Sequence, residues 1–386
     1  MNSKEHKKHA DLARPSTGNF CRNEWAFVGG QCPDIRLLAG QIIEALSPNY
    51  KCAYADSAHN EETLPDGLSH GGYASFTDAI SYRQVNYNAE FNNFNQRQIF
   101  SEVDLMLVNG NHQQAKNQVV IICESKKASL QKRVPQLTDV GMILLDKGSF
   151  EVFDFIKEVL PNWKSTPTYS IDDLPNIFKF FKGTLNQAKP VLNGLVLAGG
   201  KSERMGFDKG SFSWHGKEQR YYAADLLKQL CKEVFISCRN EQQKEIDPSY
   251  ATILDTFTGL GPFGAILSAF REKPDSSWLV IACDLPLLSE KTLNYLVDNR
   301  NTSAIATAFK SGNDGFPEPL IAIWESKSYP VLLSFLAQGY SCPRKVLINS
   351  DITLLNVPNP DDLTNVNTPE QLDEVKSRLN SQILAQ

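Results

Sequence analysis

The sequence predicts an α/β fold class, with two halves that are each built around a largely parallel sheet. Three observations support this prediction. Apolar runs of strand length alternate with segments of helical spacing in both halves. The first strand of each half runs directly into a pair of glycines, and a stretch with several prolines separates the halves. Because strands joined by helices usually pair in parallel, we expect two layered α/β domains.

The first domain is expected to span residues 1–162. Its opening strand, EWAFVGG, precedes a helix in which apolar residues from Ile35 to Leu46 recur at helical spacing. Four further strands and a closing helix are predicted in KCAYAD, VDLMLVNG, NQVVIIC, VGMILLD and SFEVFDFIKEVL.

A connector and a second domain complete the chain. Residues 163–190 contain several prolines and an aspartate pair that can cap a helix, so we expect a linker carrying a short helix. The second domain is expected to span residues 191–386. Its strands are predicted in NGLVLA, EVFISC, SWLVIAC, SAIATAF and PLIAIW, and its helices include YYAADLLKQL and GAILSAF.

Charge and cysteine content indicate which partners and which cellular compartment to expect. The 386 residues carry a net charge of −5, which gives no electrostatic reason to expect nucleic acid or an anionic membrane as a partner. No apolar run reaches the roughly 18 residues of a membrane span, and the basic N-terminus lacks the apolar core of a secretory signal. None of the eight cysteines forms a C-x-x-C pair, so we expect reduced thiols, no structural zinc and a cytoplasmic location.

The stretch LVLAGGKSERMGFDKG, residues 195–210, has the composition of a phosphate-binding loop. Gly199 and Gly200 follow a buried-looking strand, and glycine lets backbone N–H groups come close to phosphate oxygens. Arg204 and Lys209 then supply cations, of which arginine can hold two oxygens at once. The pattern indicates a nucleoside triphosphate as the ligand.

This stretch resembles the signature of the MobA-like nucleotidyltransferases, and closely that of molybdenum cofactor guanylyltransferase. It is neither a Walker A sequence nor a dinucleotide-binding G-x-G-x-x-G. The resemblance covers about residues 192–379 and implies a Rossmann-like nucleotidyltransferase domain with a mostly parallel, three-layer arrangement. It also implies that Lys209 contacts the phosphates. The loop residues to which the resemblance assigns nucleotide contacts are Leu197, Ala198, Gly199 and Gly200.

The segment ILDTFTGLGPFGAI, residues 253–266, is predicted to supply further nucleotide contacts. Asp255 ends a short apolar run, and a loop rich in glycine and proline, which includes Gly261, then opens a helix. Such a loop suits the close approach of a base or a ribose to the backbone. By the resemblance, Asp255 contacts the nucleotide.

The segment LVIACDLPLL, residues 279–288, is the predicted chemical centre. An apolar strand ends at Asp284, and ligands bind at the carboxyl ends of strands in open α/β sheets. A carboxylate there suits Mg²⁺, which is usually completed by phosphate and water. An N-cap for the next helix is the alternative from this segment alone, and the resemblance favours the Mg²⁺ ligand. We therefore expect Asp284, Lys209 and Arg204 to be the catalytic residues.

Five more residues are assigned by position within the resembling region. Ser237 lies where the family carries a polar side chain that contacts the guanylate, often an asparagine. Arg344 and Lys345, in GYSCPRK, are candidates to hold the phosphate of a pterin substrate, with a solvated basic turn as the alternative. Asn365 and Asn367, in LTNVNTPEQL, are candidate pterin contacts.

The resemblance implies an enzyme that transfers GMP from GTP to molybdopterin or Mo-molybdopterin, with Mg²⁺ as cofactor and pyrophosphate as the second product. Two alternatives stay open. A cytidylyltransferase or sugar-phosphate nucleotidyltransferase of the same superfamily would keep the chemistry and change the substrate. A non-catalytic module that only carries molybdopterin would keep the fold without the reaction.

The first half resembles the MobB family, the P-loop partner of MobA, over roughly residues 24–162. Its segment FVGGQCPDIRLLAGQII has the strand–glycine–helix layout of a Walker A motif but lacks the Gly-Lys-Ser/Thr sequence. Asn109 stands where the family has an acidic residue. We therefore expect a degenerate P-loop domain without nucleotide hydrolysis. Such a domain would present molybdopterin or dock a molybdoenzyme or a cofactor-insertion protein.

Overall fold

The structure of the protein is a computed structural model. It describes most of the chain, namely residues 11–58, 64–199, 209–366 and 375. The chain divides into two compact units, which are described separately below. The first comprises Thr17–Ala188, and the second comprises the chain from Lys189 onward together with the segment that ends at Ser16.

The first unit combines strands and helices, and it includes each of the five strands that its sequence pattern predicts. Its elements in chain order are β1 (Glu24–Val28), α1 (Cys32–Leu46), β2 (Cys52–Ala55), α2 (Asp66–Ser69), β3 (Ala74–Asp78), β4 (Arg83–Tyr87), α3 (Asn93–Ile99), β5 (Leu105–Asn109), β6 (Asn117–Ile122), α4 (Lys127–Lys132), β7 (Val140–Leu145), α5 (Asp154–Val159), β8 (Thr168–Ser170) and α6 (Leu174–Gln187).

Six strands of this unit form one parallel sheet in the order β2-β5-β1-β6-β7-β8, and β3 pairs with β4 in a separate antiparallel hairpin. Successive side chains of a strand point to opposite faces. Trp25 and Phe27 therefore pack with α1 and α6, while Ala26 and Val28 pack with α4 and α5. The sheet is thus covered by helices on both faces.

The segment predicted as a linker, residues 163–190, contributes a strand and a long helix to this first unit. Strand β8 pairs with β7, and α6 buries Ile177, Phe181 and Leu185 against the sheet. These three residues recur every four positions, which gives the helix an apolar stripe. Asp173 caps the helix by accepting a hydrogen bond from the backbone N–H of Asn176. The prolines of this region therefore begin elements instead of marking a free connector.

The second unit likewise combines strands and helices. Its elements in chain order are β9 (Leu192–Leu197), α7 (Gln219–Lys228), β10 (Val234–Cys238), β11 (Ala251–Leu254), α8 (Pro262–Glu272), β12 (Ser277–Ala282), α9 (Glu290–Asp298), β13 (Ala306–Lys310), β14 (Pro317–Trp324), α10 (Ser328–Ala337), α11 (Pro343–Ile348) and β15 (Ile352–Leu355).

Seven strands of the second unit form one mostly parallel sheet in the order β11-β10-β9-β12-β14-β13-β15. Only β14 runs antiparallel to its neighbours β12 and β13. Trp278 and Val280 face the layer of α8, α10 and α11, whereas Leu279 and Ile281 face the layer of α7 and α9. Mostly parallel sheets covered on both faces confirm the predicted α/β fold class.

Two further predictions concern the whole chain. All eight cysteines are free thiols, as expected from their spacing. No helix within the described residues is both long enough and apolar enough to cross a bilayer.

Candidate active site

Several of the predicted nucleotide residues of the second unit lie along one edge of its sheet. The adjacent strands β11, β10, β9 and β12 run parallel, so their carboxyl ends lie side by side. The register pairs Leu197 with both Ser237 and Ala282. Asp255 directly follows β11, and Asp284 comes shortly after β12. Ligands bind at this edge in open α/β sheets, which makes it the candidate active site.

The loop after β9 approaches Asp255 closely. The backbone N–H of Ala198 donates to the Ser237 carbonyl at 3.2 Å, which continues the strand pairing by one residue. A Cβ atom on Gly199 would lie 2.7 Å from Oδ2 of Asp255. A larger residue at this position would press on a carboxylate whose other oxygen is held by the Ser237 hydroxyl.

Part of the predicted phosphate loop lies outside the described residues. Gly200 and Arg204 fall in that part. Lys209 begins a 3₁₀ turn that ends at Ser211, and its side chain is not among the described atoms. The phosphate contacts assigned to these three residues therefore stay predictions.

Asp255 and Ser237 form a hydrogen-bonded pair at the ends of β11 and β10. Ser237 is fully buried, and its hydroxyl donates to Oδ1 of Asp255 at 2.5 Å. Burial raises the pKa of Asp255, while the Ser237 hydrogen bond and the charge of Arg239 act in the opposite direction. A hydroxyl has one proton to donate, so Ser237 donates to Asp255. The sequence predicts a direct nucleotide contact for Ser237, whereas the contact that the structure places there is with Asp255.

A buried serine that sequence reasoning missed orders the loop after Asp255. Ser268, on α8, accepts hydrogen bonds from the backbone N–H groups of Thr256 and Phe257 and donates to the Gly264 carbonyl at 2.7 Å. Gly261 occupies the N-cap position of α8 with a φ of 55°, in the left-handed region that favours glycine. The detectable signal is a lone hydroxyl in the apolar run GAILSAF.

The turn after β12 carries Asp284. Asp284 is half-buried, and its carbonyl accepts a hydrogen bond from the backbone N–H of Val366 at 3.0 Å. The neighbouring Asn365 is exposed, so the structure brings this predicted pterin contact close to the predicted metal ligand. Asn367 lies outside the described residues.

The two basic residues of α11 have different surroundings. Arg344 forms ion pairs with Asp314 at 2.9 Å and with Glu318 at 3.0 Å. Asp314 lies in the turn between β13 and β14, and Glu318 is the second residue of β14. The Lys345 ammonium lies 4.0 Å from the centre of the Tyr340 ring. A phosphate approaching Arg344 would meet two carboxylates, and Lys345 is the more exposed of the two cations.

A comparison with known families identifies this unit. Residues 194–352 match the family described as the MobA-like NTP transferase domain. The second unit contains a MobA-like NTP transferase domain. The match spans β9 to the start of β15, so it includes every strand end of the candidate active site. The resemblance predicted from LVLAGGKSERMGFDKG is thereby confirmed.

Two curated relatives are similar to the half of the chain that holds the MobA-like domain. A molybdenum cofactor biosynthesis bifunctional protein from Synechocystis is 32% identical over 194 residues, which are 50% of this chain and 56% of that protein. A molybdenum cofactor guanylyltransferase from Pseudomonas putida is 27% identical over 195 residues, which are 48% of this chain and 98% of that protein. The chain therefore spans little more than half the length of the first relative.

Solved structures are similar at the level of individual halves. Molybdopterin-guanine dinucleotide biosynthesis protein A from Archaeoglobus fulgidus matches with a TM-score of 0.43 and 23% identity, over 49% of this chain and 99% of that chain. MobB from Bacillus subtilis matches with a TM-score of 0.31 and 16% identity, over 42% of this chain and 96% of that chain.

The MobA-like domain offers the kind of ligand that Mg²⁺ prefers. Asp284 presents an oxygen donor at the strand edge, and the described residues contain no cluster of three or more His, Cys, Asp and Glu side chains suited to a metal. Protein-bound Mg²⁺ commonly uses one or two carboxylates and completes its shell with phosphate and water. One edge carboxylate therefore fits an ion that a nucleotide brings with it.

Proposed function

We propose that this protein transfers GMP from GTP to molybdopterin or Mo-molybdopterin and releases pyrophosphate. The observation that carries the proposal is the meeting of Gly199, Asp255 and Asp284 at one strand edge of a MobA-like NTP transferase domain. The guanylyltransferase relative that matches along 98% of its length supports GTP as the donor.

The nucleotide would be held by backbone and side-chain groups of the same edge. Leu197, Ala198 and Gly199 would offer the loop backbone, which the close approach to Asp255 already brings to the strand end. Asp255 has one carboxylate oxygen bonded to Ser237, and its second oxygen faces the glycine loop. A carboxylate that burial makes reluctant to ionise gains from a ligand hydrogen-bond donor.

The phosphates would be held by the cations of the signature loop. Gly200, Arg204 and Lys209 supply backbone and side-chain donors, and Asp284 would bind Mg²⁺. When bound, Mg²⁺ supplies positive charge that offsets the charge developing on the phosphates. Positioning of the reacting groups and stabilisation of charge account for most of the rate enhancement in phosphoryl transfer.

The reaction needs no general base. The terminal phosphate of molybdopterin is ionised at neutral pH, and its oxygen attacks the α-phosphorus of GTP in line. A new P–O–P bond forms, the bond between the α-phosphorus and the β-bridging oxygen breaks, and pyrophosphate leaves. Lys209 and Arg204 would stabilise the negative charge of the leaving group.

The pterin would lie on the side of Asn365, next to Asp284. Asn367 and Lys345 are proposed to complete its contacts. Arg344 belongs to the same region, but its guanidinium is already paired with Asp314 and Glu318, which flank the start of β14.

The first unit is proposed to be a docking domain without nucleotide hydrolysis. Helix α1 starts with Cys32 and Pro33, and Asp34 lies in its first turn. Proline has no N–H to donate, and an acid at a helix N-terminus repels an anion. The proposed partner of this unit is molybdopterin, a molybdoenzyme or a cofactor-insertion protein. Eight free thiols support a reducing cytoplasm as the compartment.

A pyrophosphate-release assay with molybdopterin and a panel of GTP, CTP, ATP and UTP tests the proposal. We expect activity with GTP and loss of at least about a hundredfold in Lys209→Ala and Asp284→Ala, because each removes charge that stabilises the transition state. Asp298→Ala, at the far end of α9, is the matched control and should keep wild-type activity.

Each other outcome of this assay contradicts the proposal in a different way. Release with CTP alone would establish the cytidylyltransferase alternative. If no nucleotide gives release with molybdopterin, release in a parallel assay with a sugar phosphate as acceptor would establish the sugar-phosphate enzyme. Molybdopterin binding without any release would establish the carrier module. Wild-type turnover in Asp284→Ala would remove Asp284 from the mechanism.

A further inference from the structure

Three successive backbone carbonyls of the turn after β12 accept hydrogen bonds from three separate parts of the chain. The Asp284 carbonyl accepts from the backbone N–H of Val366 at 3.0 Å. The Leu285 carbonyl accepts from Nε2 of Gln219 at 3.3 Å. The Pro286 carbonyl contacts Nε2 of His215 at 2.9 Å. Since a carbonyl can only accept, Nε2 of this histidine must carry the proton.

The three donor residues, His215, Gln219 and Val366, are called the carbonyl clamp below. Each is held by packing of its own. The His215 ring stacks on Tyr222 with centroids 3.8 Å apart and planes 17° apart. Gln219 is 2% exposed, and Val366 is buried in a small apolar cluster with Leu287. The clamp is therefore a set of ordered donors.

Gln219 occupies its position at the expense of an unsatisfied polar atom. Its Oε1 is buried without a hydrogen-bond partner. Rotating the amide by 180° would turn this oxygen toward the Leu285 carbonyl, where two acceptors would face each other. A buried acceptor without a partner destabilises the fold, and an apolar residue of the same length would avoid that penalty. The amide therefore carries a cost in stability, and what it provides in return is the hydrogen bond to the Leu285 carbonyl.

We infer that His215 and Gln219 are positioning residues, which hold the backbone of the turn that carries Asp284, the residue that would bind Mg²⁺. This inference rests on the proposed function. The clamp holds the carbonyl of Asp284 and those of the next two residues, so the Cα position of Asp284 is defined from outside the turn. Small displacements of a group that orients the reacting phosphates reduce the rate strongly, because catalysis depends on alignment.

The experiment compares variants of Gln219 and His215 in the full-length chain, each with its own control. Gln219→Met keeps length and burial but removes the donor and the unsatisfied oxygen. We expect a melting temperature at or above that of the wild type, kcat lowered about tenfold, and a half-saturating Mg²⁺ concentration raised about tenfold. His215→Phe, which keeps the stacking ring, should lose kcat to the same extent. His215→Gln, which retains a donor near Nε2, should stay within about twofold of wild type.

A buried glutamine of the first unit gives the matched control. Gln118 accepts from the backbone N–H groups of Thr138 and Asp139 and donates to the Ala115 carbonyl. Gln118→Met should therefore lower the melting temperature and leave the Mg²⁺ requirement unchanged, the opposite of the result expected for Gln219→Met.

Hydrogen exchange of residues 283–288 gives a readout that does not require activity. We expect faster exchange there in Gln219→Met and His215→Phe than in wild type and His215→Gln. If the wild type releases no pyrophosphate from GTP, the proposed function fails and exchange alone decides the clamp: faster exchange supports it, and unchanged exchange overturns it. If the wild type is active and both variants keep its kcat and Mg²⁺ requirement, the positioning role is overturned.

Discussion

The two units each place a glycine loop after an interior strand of a mostly parallel sheet, yet the connections that contain these loops differ greatly in length. In the first unit, residues 29–31 alone separate β1 from α1. In the second, residues 198–218 separate β9 from α7. A three-residue connection is too short to wrap a triphosphate. The shared strand–glycine–helix layout therefore does not define a site, and loop length is part of what does.

The aspartates at the two sheet edges differ in the same way. Asp56 follows β2 and is partly buried, but hydrogen bonds from Ser57, Tyr54, Arg36 and Asn109 outweigh that burial and hold its pKa below the usual range. Burial raises the pKa of Asp255, which has Ser237 as its donor. The first carboxylate has several donors inside its own unit, whereas the second is more buried and depends on Ser237.

The largest effect is expected when alanine replaces a glycine in the loop of the second unit, and the same change in the first unit serves as its comparison. Gly199→Ala would place Cβ 2.7 Å from Oδ2 of Asp255, so we expect kcat/KM for GTP to fall about a hundredfold. In Gly30→Ala, the nearest atom is the terminal Cδ1 of Ile121, also at 2.7 Å, which can move. Steady-state pyrophosphate release should be unchanged in that variant. Equal losses in both would contradict the functional difference between the loops.

Restoring an acid to the first unit should harm stability instead of creating a second site. Asn109 is fully buried, and its Nδ2 donates to Asp56 at 2.8 Å. Asn109→Asp would place a second carboxylate beside that of Asp56. Because the two negative charges repel, we expect the free energy of unfolding to fall by about 2 kcal/mol at neutral pH. The repulsion raises the pKa of the pair, so the loss should shrink as the pH falls toward about 5. Urea denaturation at both pH values measures this.

Activity supplies the control for Asn109→Asp. Pyrophosphate release should match wild type, and GTP should yield no inorganic phosphate. The appearance of phosphate would show that the first unit hydrolyses nucleotide. It would contradict the proposal that this unit is a docking domain without hydrolysis.

Removing the Ser237 hydroxyl should have a smaller effect, confined to Asp255. Ser237→Ala removes a hydrogen bond that favours the ionised carboxylate, so the pKa of Asp255, already raised by burial, should rise further. An acid with a raised folded-state pKa destabilises the fold above that pKa, and the penalty disappears as the pH falls. We expect a loss of about 1 kcal/mol at pH 7 and less in acid, measured by denaturation.

Ser237→Thr keeps the hydroxyl and serves as the comparison for Ser237→Ala. An equal loss at all pH values, or an equal loss in the threonine variant, would show that the hydrogen bond to Asp255 is not the cause.

The smallest effect is expected at Arg344. Arg344→Met removes two partly exposed ion pairs, which should lower the free energy of unfolding by less than about 1 kcal/mol. The KM for molybdopterin should rise by less than about threefold, because two carboxylates already occupy the guanidinium. Lys345→Met should raise that KM more. A larger increase in KM for Arg344→Met than for Lys345→Met would show that Arg344 binds the pterin phosphate.

Much of the fold could be predicted because it is encoded locally. The apolar runs that form β1, β5, β6 and β12 are unbroken, as expected for strands buried on both faces. The direction of β14 could not be predicted, because the pattern of a strand does not record which neighbour it pairs with. The prolines around α6 favour a break in the chain, so the sequence predicts a linker there, although Pro175 lies in the first turn of the helix, where proline is tolerated.

The sequence by itself determined the MobA-like signature and the order of its motifs, including Asp255 and Asp284, because these follow directly from residue type and spacing. The tertiary structure decided what those residues touch. Ser237 bonds Asp255, Arg344 bonds two acids, and distant segments meet the Asp284 turn. These contacts join residues far apart in the chain, and only strand register and packing determine their distances.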